Sequence, residues 1–220
     1  MNNPYSLVEI FTMIFVTMGP IKVLITFAEK SAGLDTAVRR RIAIKSVSIA
    51  TVVGLIFIFF GVVLMELFKF STTAMSLAGG LILLIYAISS ILKEPKPGEQ
   101  QGYATDRDAE AMAVYPLAMP LMASPMGLVT LTILSANAQV TLEGLIIETV
   151  MLLVVMGINL IALLYIDGVT KYLSLETLGV ANRILGLLLA ALAMETIIKA
   201  TGDVLQEAVR QLQEMGIIRS

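Results

Sequence analysis

Ionisable side chains are spaced along this chain so that four long apolar runs lie between them. Residues 46–65, 70–92, 111–142 and 149–166 hold no ionisable group other than tyrosine. A helix rising 1.5 Å per residue needs about 20 residues to cross about 30 Å of hydrocarbon. Each run therefore predicts a membrane-spanning helix, the last completed if Glu148 snorkels to an interface. Two further spans are expected over residues 5–28, with Glu9 and Lys22 inside, and 178–200, with Arg183 and Glu195 inside. The pattern predicts an all-α, polytopic membrane protein of six transmembrane helices.

Composition agrees with that pattern and narrows the chemistry. Hydrophobic residues make up 57% of the 220 and charged ones 15%, with no His, Cys or Trp. Soluble domains carry about 25% charge. Without His or Cys, the common nucleophiles and bases, most zinc sites, haem ligation and disulfides are excluded. A membrane-embedded enzyme would need a carboxylate pair or a Ser–Lys dyad. No two acids share a span centre and Lys22 has no evident serine partner. No catalytic residue and no resident cofactor is therefore expected, and no nucleotide-binding motif is present.

Basic residues set the orientation. Lys30, Arg39, Arg40, Arg41, Lys45, Lys93, Lys96, Arg107, Lys171 and Arg183 fall on one side, ten against Lys69, Lys199, Arg210 and Arg219 on the other. Both termini are expected outside the cell membrane, with the basic connections in the cytoplasm. The three consecutive arginines read as an anchor against anionic lipid rather than a nucleic-acid patch. No basic region precedes the first apolar stretch, so no cleaved signal peptide is expected.

A shift of about 105 residues superimposes the two halves. Gly80, Leu81, Ala87, Ile91 and Lys93 then match Gly186, Leu187, Ala193, Ile197 and Lys199, and Gly19–Pro20 falls beside Ser124–Pro125. Three spans per half is an odd number, so the second copy must be inverted, as in many secondary transporters. The expected organisation is a three-helix repeat over 1–93, a cytoplasmic linker over 94–110, a second repeat over 111–202 and an amphipathic tail over 203–220.

Glycine and proline inside spans mark the candidate site. Proline removes a backbone donor and frees a carbonyl four residues earlier, which lipid cannot satisfy. Helices 1 and 4 are expected to break at Thr17-Met18-Gly19-Pro20 and at Pro116, Pro120, Ser124-Pro125 and Gly127. A broken helix offers a positive half-helix N-terminus for a carboxylate and free carbonyls for Na⁺, hydronium or ammonium. The substrate-binding candidates are Thr17, Gly19, Pro20, Ser76, Gly79, Gly80, Pro120, Ser124, Pro125, Gly127, Thr130 and Asn159, with Thr132 as a further hydroxyl. Asn159 either tightens helix packing or touches a ligand. Lys22 either snorkels to the cytoplasmic interface or neutralises pocket carbonyls. Asn182–Arg183 form a helix entry or a gate, and Glu195–Lys199 an i,i+4 pair. Gly54, Gly61 and Gly157 serve contacts within a protomer or between copies in a homo-oligomer.

Four blocks in order, Phe15-Val16-Thr17-Met18-Gly19-Pro20, residues 76–83, residues 113–125 with Pro116, Pro120 and Pro125, and Asn182-Arg183-Ile184-Leu185-Gly186-Leu187, resemble the MarC family of six-span inner-membrane proteins. The likeness covers nearly the whole chain to about Gly202. It implies import or exchange of small neutral amino acids such as alanine or glycine, coupled to H⁺ or Na⁺. Gly19 stands where the family usually has Asn, Ile25 where it has a second proline, and Ser124-Pro125-Met126 where it has Gly-Pro-Gly. The residues alone reach a secondary carrier for a small polar solute. With no intramembrane acid evident, Na⁺ fits slightly better than H⁺. The competing expectation is a non-transporting structural or regulatory membrane protein that uses its tail to meet a partner.

Overall fold

The computed structural model describes residues 6–31, 33–92, 110–138, 142–166 and 175–214, apart from a few side chains within its helices. The expected linker over 94–109, the tail end at 215–220 and the Asn182 side chain lie outside the described residues. Helices dominate: α1 (Leu7–Met18), α2 (Ile21–Lys30), α3 (Thr36–Phe68), α4 (Thr72–Leu92), α5 (Ala113–Met122), α6 (Pro125–Ala138), α7 (Leu142–Leu164) and α8 (Leu175–Glu214). Among the described residues, five stretches are long and apolar enough to cross a bilayer, with α1 and α2 counted together. A sixth is added if α5 and α6, bent by 54°, form one span.

Local sequence explains where the helices start and stop. Ser6 caps α1 in a reciprocal pair: its hydroxyl accepts from the Glu9 N–H at 3.3 Å while its own N–H donates to Glu9 at 2.7 Å. α3 ends at Lys69, whose left-handed φ of 53° turns the chain and aims its N–H at the Met65 carbonyl. Ser71 then accepts the Ala74 N–H at 3.0 Å and opens α4.

α3, at 33 residues, and α8, at 40, are longer than hydrocarbon requires. Arg39, Arg40, Arg41 and Lys45, expected in a connection, lie instead on the first turns of α3. Residues 203–214, expected as a separate tail, continue α8 without a break through Gly202. Glu110, assigned to the linker by its charge, is already helical and leads toward α5.

Packing follows the logic of lipid rather than water. The buried stripe of α3 is mostly small, with Ala43, Ser46, Ala50, Gly54 and Gly61, while Val52, Phe59, Phe60 and Val63 face outward. Small residues inside let backbones approach where no hydrophobic force drives helices together. A Cβ on Gly54 would stand 2.8 Å from Leu152, and one on Gly61 would stand 2.6 Å from the Thr132 hydroxyl. Both glycines therefore serve contacts within the protomer, and Gly157 faces no atom within 4 Å.

α4 and α8 form the most extensive helix pair. A Cβ on Gly80 would stand 2.7 Å from Ile197 and 3.2 Å from the Ala193 carbonyl. One on Gly186 would stand 2.9 Å from Ile91 and 3.3 Å from the Ala87 carbonyl. The contact is reciprocal across 106 residues of sequence.

Candidate functional site

The first interruption is built by two residues. Pro20 has no N–H to continue α1. Gly19 is extended (φ −77°, ψ 174°), and a Cβ there would collide with the Phe15 carbonyl. Glycine is required by that close approach rather than by its φ. α1 therefore stops at Met18, and α2 restarts with the Leu24 N–H donating to the Pro20 carbonyl at 2.9 Å.

The second interruption is wider. The residue before a proline is pushed out of the helical region. Tyr115 (φ −128°, ψ 123°) precedes Pro116 and Met119 (φ −130°, ψ 130°) precedes Pro120, both extended within α5. The chain compensates with wide turns, in which Leu117 N–H reaches the Met112 carbonyl at 3.3 Å and Ala123 N–H reaches Ala118 at 2.8 Å. α5 is thus a proline-paced wide coil and not the first half of a regular helix. Regular winding resumes at Pro125, with the Leu128 N–H on the Ser124 carbonyl at 2.9 Å.

The two interruptions meet. The Ser124 hydroxyl donates to the Thr17 carbonyl at 2.7 Å and accepts the Gly127 N–H at 3.1 Å. Lys22 Nζ donates to the same Thr17 carbonyl. From α7, Asn159 Nδ2 donates to the Met18 and Val155 carbonyls, each at 3.0 Å. Met18, Ser124 and Asn159 are buried, as is most of Lys22. The negative end of α1 here abuts the positive end of α6, a favourable arrangement of helix dipoles.

Free carbonyls were expected at the break. Those of Thr17 and Met18 are instead partnered by protein side chains, because an unsatisfied carbonyl is costly in a dry interior. Asn159 both ties helices together and retains an acceptor, since its buried Oδ1 has no hydrogen-bond partner. Of the two roles weighed for Lys22, the structure favours neutralising a carbonyl.

The remaining candidates divide around this junction. A Cβ on Gly127 would strike the Met18 side chain, and one on Gly79 would fall inside the Pro125 ring, so both glycines seat neighbours against the break. Pro120 is buried in α5, whereas Ser76 is half-buried on α4. Thr17, Thr130 and Thr132 turn their hydroxyls back to carbonyls of Met13, Met126 and Leu128 at 2.7–2.9 Å. Thr17 thus contributes its carbonyl rather than its hydroxyl. Gly80 belongs to the α4–α8 contact and does not join the junction. Glu195 and Lys199 pair at 3.0 Å on the exposed face of α8.

Between α2 and α4, the Thr26 and Tyr86 hydroxyls lie 3.4 Å apart, and the Tyr86 ring meets Tyr115 edge-on at 6.0 Å. Sequence reasoning gave no weight to either tyrosine. It also placed Glu148 at an interface; the structure buries that side chain to 1% exposure with neither carboxyl oxygen partnered. A cavity of about 230 Å³ lies elsewhere, lined by Thr36, Arg39, Arg40 and the end of α7.

A family model described as MarC family integral membrane protein matches residues 5–205. A UPF0056 membrane protein of Buchnera aphidicola subsp. Schizaphis graminum is 33% identical over 61% of this chain and 65% of its own length. The UPF0056 membrane protein MJ1677 of Methanocaldococcus jannaschii is 26% identical over 86% of this chain and 92% of its own. The UPF0056 inner membrane protein YhgN of Escherichia coli K12 is 26% identical over 86% and 93%. No solved structure matches. With the family model covering nearly the whole length, the chain belongs to the MarC family of integral membrane proteins.

Proposed function

We propose that this protein is a secondary active transporter of small neutral amino acids of the alanine or glycine type, working by alternating access between two inverted three-helix repeats in the cell inner membrane. Both termini would lie on the outer side, as the basic residues suggest. The observation that carries this reading is the junction of two helix breaks, with the Ser124 hydroxyl 2.7 Å from the Thr17 carbonyl. Broken helices meeting inside a bundle are how secondary carriers commonly bind small charged solutes.

The chemistry of the junction fits a zwitterion. Its acceptor side, the Thr17 and Met18 carbonyls, already holds one primary ammonium, that of Lys22, and a solute ammonium would take the same place. Its donor side, Ser124 with the Gly127 N–H at the start of α6, suits a carboxylate. Gly79 and Gly127 let Pro125 and Met18 pack directly against the break, so the elements around it are held close together. The reciprocal Gly80–Ile197 and Gly186–Ile91 contacts support the inverted repeat, since a pseudo-two-fold axis would relate them.

Reconstitution tests the reading. Purified protein in proteoliposomes should accumulate labelled alanine or glycine under an imposed H⁺ or Na⁺ gradient. A broad amino-acid panel showing no accumulation above empty liposomes would remove it and favour a structural membrane protein, whose partnered carbonyls would then be simple packing.

A further inference from the structure

Glu148 is the most unusual polar residue in the fold. It lies six residues into α7 (Leu142–Leu164), about 9 Å along the axis from the helix start. Its side chain is 1% exposed, both carboxyl oxygens lack a hydrogen-bond partner, and it makes no ion pair among the described residues. An ionised carboxylate in such a place is far costlier than a neutral acid. Ionisable residues inside a membrane are rare, and they mark ion and proton paths.

Among the described residues, no charged side chain of the neighbouring elements is hydrogen-bonded to this carboxyl. α7 packs against α1, α2, α3 and α6. On α1 the acid is Glu9, exposed and tied to Ser6. On α2, Lys22 is engaged with the Thr17 carbonyl and Glu29 and Lys30 lie at the far end. α3 carries Glu66 and Lys69 at one end and Arg39, Arg40, Arg41 and Lys45 at the other. α6 carries no ionisable side chain, and α7 itself adds only Glu143 in its first turn.

Position on the helix links this carboxyl to the junction. Glu148, Leu152, Val155, Met156 and Asn159 form one buried stripe of α7. At one end stands the acid, and at the other Asn159 holds the Met18 carbonyl at the break, 11 residues or about 16 Å away. One rigid rod therefore touches both. Between the two ends the buried stripe itself is apolar, with Leu152, Val155 and Met156.

We propose that Glu148 is the proton-carrying carboxyl of this protein, which assigns H⁺ rather than Na⁺ as the coupling ion; this rests on the carrier reading above. Facing outward, the carboxylate takes a proton from hydronium, giving a carboxylic acid and water. Facing inward, the acid returns that proton to water. One positive charge thus crosses with each neutral amino acid, and no electron changes hands.

Glu148→Gln, which imitates the neutral acid, tests this with two readouts. Infrared difference spectra against pH should show a protonated-carboxyl band in the wild type that alkali removes and Glu148→Gln lacks. In proteoliposomes the variant should lose accumulation driven by a pH gradient yet keep exchange of labelled alanine between the two sides. If Glu148→Gln does not fold, Glu148→Asp replaces it, and the band should shift instead of vanishing. Identical spectra for variant and wild type, or full pH-driven accumulation by the variant, overturns the proposal and leaves the carrier reading standing. A carboxyl band that Glu148→Gln removes, in a protein that moves no amino acid, keeps the proton site and overturns the carrier reading instead.

Discussion

The Ser124 hydroxyl donates to the Thr17 carbonyl at 2.7 Å, so a single bond joins interruptions separated by 107 residues. The same oxygen accepts the Gly127 N–H and so caps α6. One small side chain thereby serves the end of α1 and the start of α6 together.

Ser124→Ala removes both bonds and leaves the Gly127 N–H without its partner. A buried polar group left unpaired costs about 1–3 kcal/mol. The midpoint of thermal unfolding in detergent should fall, and alanine uptake should be lost with it. Ser124→Thr, which keeps a hydroxyl, should recover part of both.

Gly79→Ala and Gly157→Ala should differ in sign. The first drives a methyl into the Pro125 ring, and overpacking of this kind costs about 1–3 kcal/mol. The second meets nothing within 4 Å and should gain about 0.5–1 kcal/mol from the better helix former. Thermal melts of the two variants beside wild type check both directions at once.

The reciprocal approaches within the α4–α8 contact make a paired prediction. Gly80→Ala should be destabilising and relieved by Ile197→Ala, and Gly186→Ala should be relieved by Ile91→Ala. The crossed combinations, Gly80→Ala with Ile91→Ala and Gly186→Ala with Ile197→Ala, should show no relief. Coupling between contacting residues runs to about 0.5–3 kcal/mol, which double-mutant cycles on unfolding midpoints resolve.

Glu110 carries a pH prediction at the membrane surface. Hydrogen bonds from Lys45 and Arg41, each at 3.0 Å, hold its carboxyl below the ordinary glutamate range. Its folded value is depressed, so the stabilising contribution is present above the unfolded value and lost as pH falls through the lowered one. Acidification should therefore loosen the attachment of Glu110 to α3 in wild type and change nothing there in Glu110→Gln. The group is only half-buried and its Arg41 and Lys45 partners are exposed, so high salt should shrink the difference. Stability against pH at two ionic strengths measures it.

Four of the span positions were legible because charge-free length selects them, and the places where α1 stops and α6 starts because proline has a local effect on winding. What could not be seen was how far helices extend past the hydrocarbon. Arg39, Arg40 and Arg41 interrupt an apolar run without interrupting a helix, and 203–214 continue α8 for the same reason. The form of α5 was hidden too, since Pro116 and Pro120 signal interruption but not the wide turns that absorb it. Among site residues, Ser124 and Asn159 announced themselves as polar groups at mid-span. Lys22 stood between snorkelling and neutralising a pocket carbonyl, and Glu148 read as snorkelling alone, because a charge near the end of an apolar run shows its surroundings only once the neighbouring helices are in place. Partnering of the Thr17 and Met18 carbonyls depends on residues 107 and 141 positions away, which no local pattern encodes.

The proposed solute site is open to a direct measurement, because the chain has no cysteine. Single thiols introduced by Thr17→Cys at the junction and Gly157→Cys away from it can be reacted with a small maleimide in the presence and absence of alanine. Alanine should slow modification at position 17 and leave position 157 unchanged. Equal rates with and without alanine at position 17, in protein that has been shown to fold, would contradict a binding site between the two broken helices.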